Sequence, residues 1–257
     1  ADMTLFDTHA HYTDEAFDSD RDAVLSGLAA QNVGLVVCPA DTIESSKAVI
    51  TLASRYDFLY AAVGIHPLSV ADQPTGWLEE LRVLAKKPKV VAIGEIGLDY
   101  FYEADSKNAQ QELLDSQLTL AEEVGLPVII HDREAHADCL NLVRRHPNVR
   151  GVYHCYSGGV EDAKVLLNLG WMLSFTGAIT FKNARRALEV IEQLPMEKIM
   201  IETDSPYLAP VPFRGKRNDS GYVHLVAEKI GELKGISVDE VGRITTENGK
   251  KFFGIKD

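Results

Sequence analysis

The chain has 257 residues, with 26 Lys and Arg against 38 Asp and Glu, a formal net charge of −12. Hydrophobic residues make up 46% and charged ones 25%, the composition of an ordinary globular protein able to bury a large core. So acidic a balance excludes a generally basic nucleic-acid coat or an anionic-membrane binder, while leaving room for a local basic patch over a site.

In chain order, short apolar runs rich in β-branched residues predict strands near Thr4–Thr8, Gly34–Pro39, Leu59–Ile65 and Val90–Gly94. Four more follow near Pro127–Ile130, Gly151–Tyr153, Trp171–Phe175 and Lys198–Ile201. Stretches of helical period separate them: in Gln110–Val124, Leu113, Leu114, Gln117, Leu118 and Ala121 share one face. Ser237–Phe253 reads as one extra short helix. Repeated βα units predict an α/β fold, a (β/α)8 TIM barrel with an extra C-terminal helix, as a single domain over 1–257. A doubly wound open sheet is the competitor, but no G-x-G-x-x-G follows the first strand.

No apolar run approaches the roughly 18 residues that a membrane helix needs. Asp2, Asp7 and His9 are foreign to the core of a signal peptide. Cys38, Cys139 and Cys155 are odd in number and form no C-x-x-C, so a reduced, cytoplasmic protein is expected.

The polar residues fall where a barrel builds its active face, at the C-terminal ends of the strands. The first predicted strand ends in His9-Ala10-His11, the third in His66, the fourth in Glu95, the fifth in His131, the sixth in His154 and the last in Asp204. The remaining histidines, His136, His146 and His224, fall in predicted helices. His9 and His11 are two apart, so an extended backbone aims both at one side, where Asp204 can join them on a cation. His131 and His154, from adjacent strands, can hold a second cation, and Glu95 is the central carboxylate able to bridge the pair. Imidazole with carboxylate suits Zn²⁺ or Mn²⁺, with Mg²⁺ less natural. Two such ions lower the pKa of a bridging water and clamp the oxygens of an in-line displacement. Asp204, beside that water, is placed to take its proton.

Other positions have two readings each. His66 supports a ligand or touches substrate, or is a loop residue fixed by Pro67. Asp99 orients a ligand histidine or caps a loop. Glu202 shares the face of Asp204 or lines the barrel beside an ion partner, and Cys155 is expected to pack on the opposite side. Arg133 lies two residues after His131, and Arg214, Lys216 and Arg217 cluster in the loop after the last strand, a frequent phosphate site in barrels. Arg and Lys there would bind phosphodiester oxygens, unless the loop is simply solvated. Tyr100, Phe101, Tyr102, Tyr156 and Phe181 can stack bases or cap the core.

Phe6-Asp7-Thr8-His9-Ala10-His11, Gly64-Ile65-His66-Pro67 and Gly94-Glu95-Ile96-Gly97-Leu98-Asp99-Tyr100 closely resemble motifs of the TatD family of metal-dependent deoxyribonucleases. So do His131-Asp132-Arg133, His154-Cys155-Tyr156-Ser157-Gly158 and Glu202-Thr203-Asp204-Ser205-Pro206, in the family's order and over essentially the whole chain. The Phe213–Asn218 loop fits as well. The resemblance implies a barrel of the amidohydrolase superfamily holding two divalent metal ions per subunit, Zn²⁺, Mn²⁺ or Mg²⁺. Carried over, His9, His11, Glu95 and Asp204 hold one ion, and Glu95, His131 and His154 the other. It also implies nuclease action on DNA, including 3′→5′ exonuclease action, with DNA as the partner, no membrane and no obligatory protein partner. The alternatives are a hydrolase of a small ester, lactone or amide on the same scaffold, or a non-catalytic, metal-stabilised binding protein.

Overall fold

The computed structural model describes residues 4–102 and 104–257. Its strands are β1 (Leu5–Asp7), β2 (Val33–Pro39), β3 (Leu59–Val63), β4 (Val90–Asp99), β5 (Val128–Arg133), β6 (Gly151–Tyr153), β7 (Met172–Phe175) and β8 (Ile199–Ile201). A helix follows each one: α1 (Arg21–Ser26), α2 (Ile43–Ala53), α3 (Trp77–Ala85), α4 (Lys107–Val124), α5 (His136–Arg144), α6 (Val160–Asn168), α7 (Arg185–Gln193) and α8 (Val223–Lys234). The strands follow sequence order, β1 to β8, in parallel ladders, which is the (β/α)8 TIM-barrel order read from the sequence. Helix α9 (Val238–Phe253) is the extra C-terminal element.

Two compact units make up the chain. The first comprises the residues up to Cys38, Cys155–Leu167 and Met172–Asp257. Within it Phe6 of β1 is wholly buried, with its ring 5.9 Å from that of Phe253 on α9. Ser237 starts α9 by accepting the amide of Glu240, and Gly254 ends it in the left-handed conformation that glycine tolerates best. The second unit comprises Pro39–His154 and Asn168–Trp171. Within it Thr42 and Ser45 form a reciprocal cap on α2, and all ten residues of β4 are buried. A strand covered on both faces reads as a continuous apolar run, which is why the pattern located β4 but not its end.

The structure extends β4 beyond the predicted Gly94 to Asp99, and β5 to Arg133. Glu95, Asp99, His131 and Arg133 are therefore strand residues rather than loop residues. Conversely, β1 stops at Asp7, so His9 and His11 lie past its end. His136 and His224 lie on helices, whereas His146 falls two residues beyond α5. Cys38 and Cys139 are buried, Cys155 is half-buried, and none of the three is in a disulfide. Among the described residues, no helix is long and apolar enough to cross a membrane.

Candidate metal centre

In the first unit, backbone pairing carries the chain past β1 alongside the residues that follow β8. The amide of Thr8 donates to Ile201 (3.1 Å), that of Asp204 to His9 (2.8 Å) and that of His11 to Ser205 (2.7 Å). This brings three side chains together. His9 Nε2 and His11 Nε2 lie 3.2 Å apart, and Asp204 Oδ1 lies 3.4 Å from the first and 3.1 Å from the second. A cation about 2.0–2.1 Å from each donor sets donor–donor separations of about 3.0–3.4 Å, so this triangle has the size of a coordination-sphere face. Asp204 has φ +58°, a left-handed conformation costing a non-glycine residue about 1–3 kcal/mol, and its paired amide holds it there.

Asp7 braces this triangle. It is fully buried, and its Oδ1 accepts from the amides of His9 (3.2 Å) and Thr203 (2.9 Å). Its Oδ2 accepts from the hydroxyls of Thr203 (2.6 Å) and Ser220 (2.5 Å). Burial pushes its carboxyl up to about 6, although these hydrogen bonds pull the other way. One carboxylate thus ties His9 to the residue preceding Asp204. Glu202, also buried, accepts the amide of Cys155 at 3.0 Å. Cys155 sits at φ +44° with its thiol 3.5 Å from the Thr176 hydroxyl.

In the second unit the centre is Glu95. Between Ile93 and Ile96 the β4 chain advances three residues while β5 advances only from Val128 to Ile130, a bulge that re-aims the Glu95 side chain. The amide of Glu95 donates to Ala40 at 2.9 Å. Two glycines permit this path. A Cβ on Gly94 would meet Ile129 Cβ at 2.7 Å, and one on Gly97, at φ +146°, would stand 1.8 Å from the His131 carbonyl oxygen. Glu95 Oε2 is then 2.9 Å from His131 Nδ1, 3.2 Å from His154 Nε2 and 3.1 Å from His66 Nε2. The distances of His131 and His154 from Glu95 fall in the range that one cation sets between its donors, and His66, Glu95 and His131 have ligand atoms all within 4.8 Å of one another.

The imidazoles differ in what holds their far nitrogens. His131 Nε2 donates to Asp99 Oδ2 at 2.9 Å, which leaves Nδ1 facing Glu95. Burial opposes protonation of His131, but the Asp99 and Glu95 carboxylates outweigh it and raise its pKa. Burial likewise opposes ionisation of Asp99, yet the His131 hydrogen bond and the amides of Tyr102 and Phe101 bring its pKa below the usual carboxylate value. On His66 the Leu68 amide donates to Nδ1 at 3.1 Å, so the neutral ring keeps its proton on Nε2, facing Glu95. That makes His66 a hydrogen-bond donor rather than a metal ligand.

Two residues on α4 that the sequence reading did not assign to the site complete this cluster. Gln117 accepts the amide of Ile65 (2.8 Å) and donates to its carbonyl (3.0 Å), and Gln110 does the same for Asp99 (2.8 and 3.0 Å). Each buried amide replaces a missing strand partner next to a site residue. Their signal was a polar residue on an otherwise apolar helix face.

The basic residues are placed unequally. Arg133 is exposed, with its guanidinium 4.1 Å from the Phe101 ring centroid and 5.0 Å from that of Tyr102. Arg214 lies 3.9 Å over Phe181, and Lys216 is exposed. Arg217 grips Asp20 with both nitrogens (2.8 and 2.7 Å) and donates to the Ala16 carbonyl (3.0 Å), which ties the loop after β8 to the segment before α1.

The TatD related DNase family matches residues 6–254. A Bacillus subtilis protein named metal-dependent hydrolase YabD is 41% identical over 253 residues, spanning 98% of this chain and 99% of its own length. Escherichia coli YcfH, also named a metal-dependent hydrolase, is 38% identical over 258 residues, spanning 98% and 97%. The crystal structure of YjjV, a TatD homologue from Escherichia coli, matches with a TM-score of 0.94 and 33% identity over 100% of both chains. Fold, donor set and these likenesses define a metal-dependent hydrolase on a (β/α)8 barrel. The chain belongs to the TatD family.

Proposed function

We propose that this protein hydrolyses phosphodiester bonds of DNA, releasing nucleotides from the 3′ end, with one divalent cation held by each donor cluster. The observation that carries this reading is the spacing of the donors, 2.9–3.4 Å around Asp204 and Glu95 in clusters of nitrogen and oxygen atoms. Such a donor set suits Zn²⁺ or Mn²⁺ better than Mg²⁺. When bound, these cations acidify a water and hold phosphoryl oxygens for in-line displacement.

The chain's own groups do the rest. Asp204 takes the proton of the attacking water. Asp99 fixes the His131 ring so that Nδ1 faces Glu95, the support a ligating imidazole needs. His66 offers its Nε2–H first to Glu95 and, on substrate binding, to a phosphoryl oxygen. Arg133, Arg214 and Lys216 supply cationic contacts to flanking phosphates. Glu202 keeps the turn at Cys155 in place by holding its amide.

The test is a nuclease assay on chelated protein with and without added Zn²⁺, Mn²⁺ or Mg²⁺, using single strands labelled at either end and a panel of small esters, lactones and amides. Metal-dependent loss of nucleotides from the 3′ end is expected. Turnover of the small substrates with intact DNA would replace this reading by that of a small-molecule hydrolase.

A further inference from the structure

We infer that Phe101, Tyr102 and Arg133 form a subsite that stacks one unpaired nucleobase next to the phosphate under attack, an inference that rests on the DNA reading above. Phe101 and Tyr102 are the two most exposed large hydrophobic side chains among the described residues, at 56% and 60%. Their rings stand 4.8 Å apart at 88°, so together they offer a face and an edge. The Arg133 guanidinium lies over Phe101 at 4.1 Å and donates to the Tyr102 hydroxyl at 3.3 Å. Planar apolar faces beside a cation match an anionic chain of planar bases, and on a protein of net charge −12 such a cation is a local choice.

The corner is also built rather than incidental. Asp99 Oδ1 accepts the amides of Phe101 and Tyr102, each at 3.0 Å, while its Oδ2 holds His131. Asp99 on β4 is also the register partner of Arg133 on β5. One carboxylate therefore fixes the orientation of a ligand imidazole and the turn that presents the aromatic pair. A base lodged against these rings has left its neighbour in the strand, so an end that is single-stranded or frayed is the form that fits.

An abasic scan tests this. Single strands carrying one tetrahydrofuran residue at each of the last four 3′ positions are compared with the parent strand, reading KM and kcat separately. With the wild-type protein, one position should raise KM about tenfold or more, the usual weight of one stacked base, with kcat little changed. Phe101→Leu/Tyr102→Leu should abolish that discrimination, and Arg133→Lys, which keeps the charge but not the planar group, should reduce it. A flat wild-type scan, or a discrimination that survives the double substitution, overturns the subsite while leaving the nuclease reading standing. Failure to cleave any of the strands removes both. The wild-type scan requires no variant to fold.

Discussion

The two donor clusters reach the same atomic spacing by different means. Around Asp204 the donors depend on backbone: a left-handed aspartate, paired amides and the buried Asp7 beneath them. Around Glu95 they depend on side chains: a bulged strand aims the carboxylate, and Asp99, the Leu68 amide, Gln110 and Gln117 fix its surroundings. The second cluster thus already contains partners that orient His131 and His66, and Asp99 stabilises protonated His131 when no metal competes. In the first, the Glu202 carboxylate also lies within 4.8 Å of the His9 ligand nitrogen, and the buried Asp7 holds the His9 backbone rather than its ring. The difference teaches that each donor cluster should respond to a different kind of substitution.

The largest effects should come from the donors. Asp204→Asn is expected to lower kcat by about 10²–10⁴-fold, the span of a lost general base, with a thermal midpoint close to wild type. His131→Ala should abolish turnover and remove one metal equivalent by elemental analysis, again with the fold largely kept. A protein that melted lower but had no turnover to lose would fit a metal-stabilised binding protein instead. Next in size, Asp99→Asn should weaken metal binding about 10- to 100-fold, because the ring of His131 loses the acceptor that orients it. Isothermal titration of chelated protein measures this, and it should affect one of two binding steps.

The pH response separates metal-free from loaded protein. The pKa of His131 is raised above 6.5, so its protonation stabilises the metal-free fold fully below 6.5. That stabilisation is lost as pH rises through the raised value. Metal needs the neutral ring, so metal affinity moves the opposite way and should fall as pH drops through roughly 6. Melting of chelated and loaded protein across this range should show the two trends diverging. Undiminished metal content at acid pH would contradict the assigned ligands.

Smaller effects belong to the braces. Asp7→Asn places a donor among donors and should cost about 1–3 kcal/mol in a denaturant titration, with activity falling as His9 and Asp204 loosen. Arg217→Ala breaks an ion pair with Asp20 that is partly open to solvent. It should cost at most about 1 kcal/mol and change turnover little, unlike loss of a phosphate contact.

Much of this was legible in the sequence because strand ends are where apolar runs stop and chemistry begins. His9, His11, Glu95, His131, His154 and Asp204 stood out as polar residues punctuating apolar runs, and Ser237 announced α9. The far end of β4 was not legible: Gly94 and Gly97 interrupt the pattern, and a bulge leaves no periodic trace. Asp7, Gln110 and Gln117 escaped because a polar residue within an apolar run looks the same whether it is tolerated or required. Arg217 was legible as a cation, but its partner Asp20 is 197 residues away, a distance that no local pattern spans.

Anomalous diffraction from crystals soaked in Mn²⁺ or Zn²⁺ is the most direct measurement. It should give two peaks, one among His9, His11 and Asp204 and the other among Glu95, His131 and His154. Peaks elsewhere, or no peak among these side chains, would contradict the assignment of metal-dependent chemistry to them.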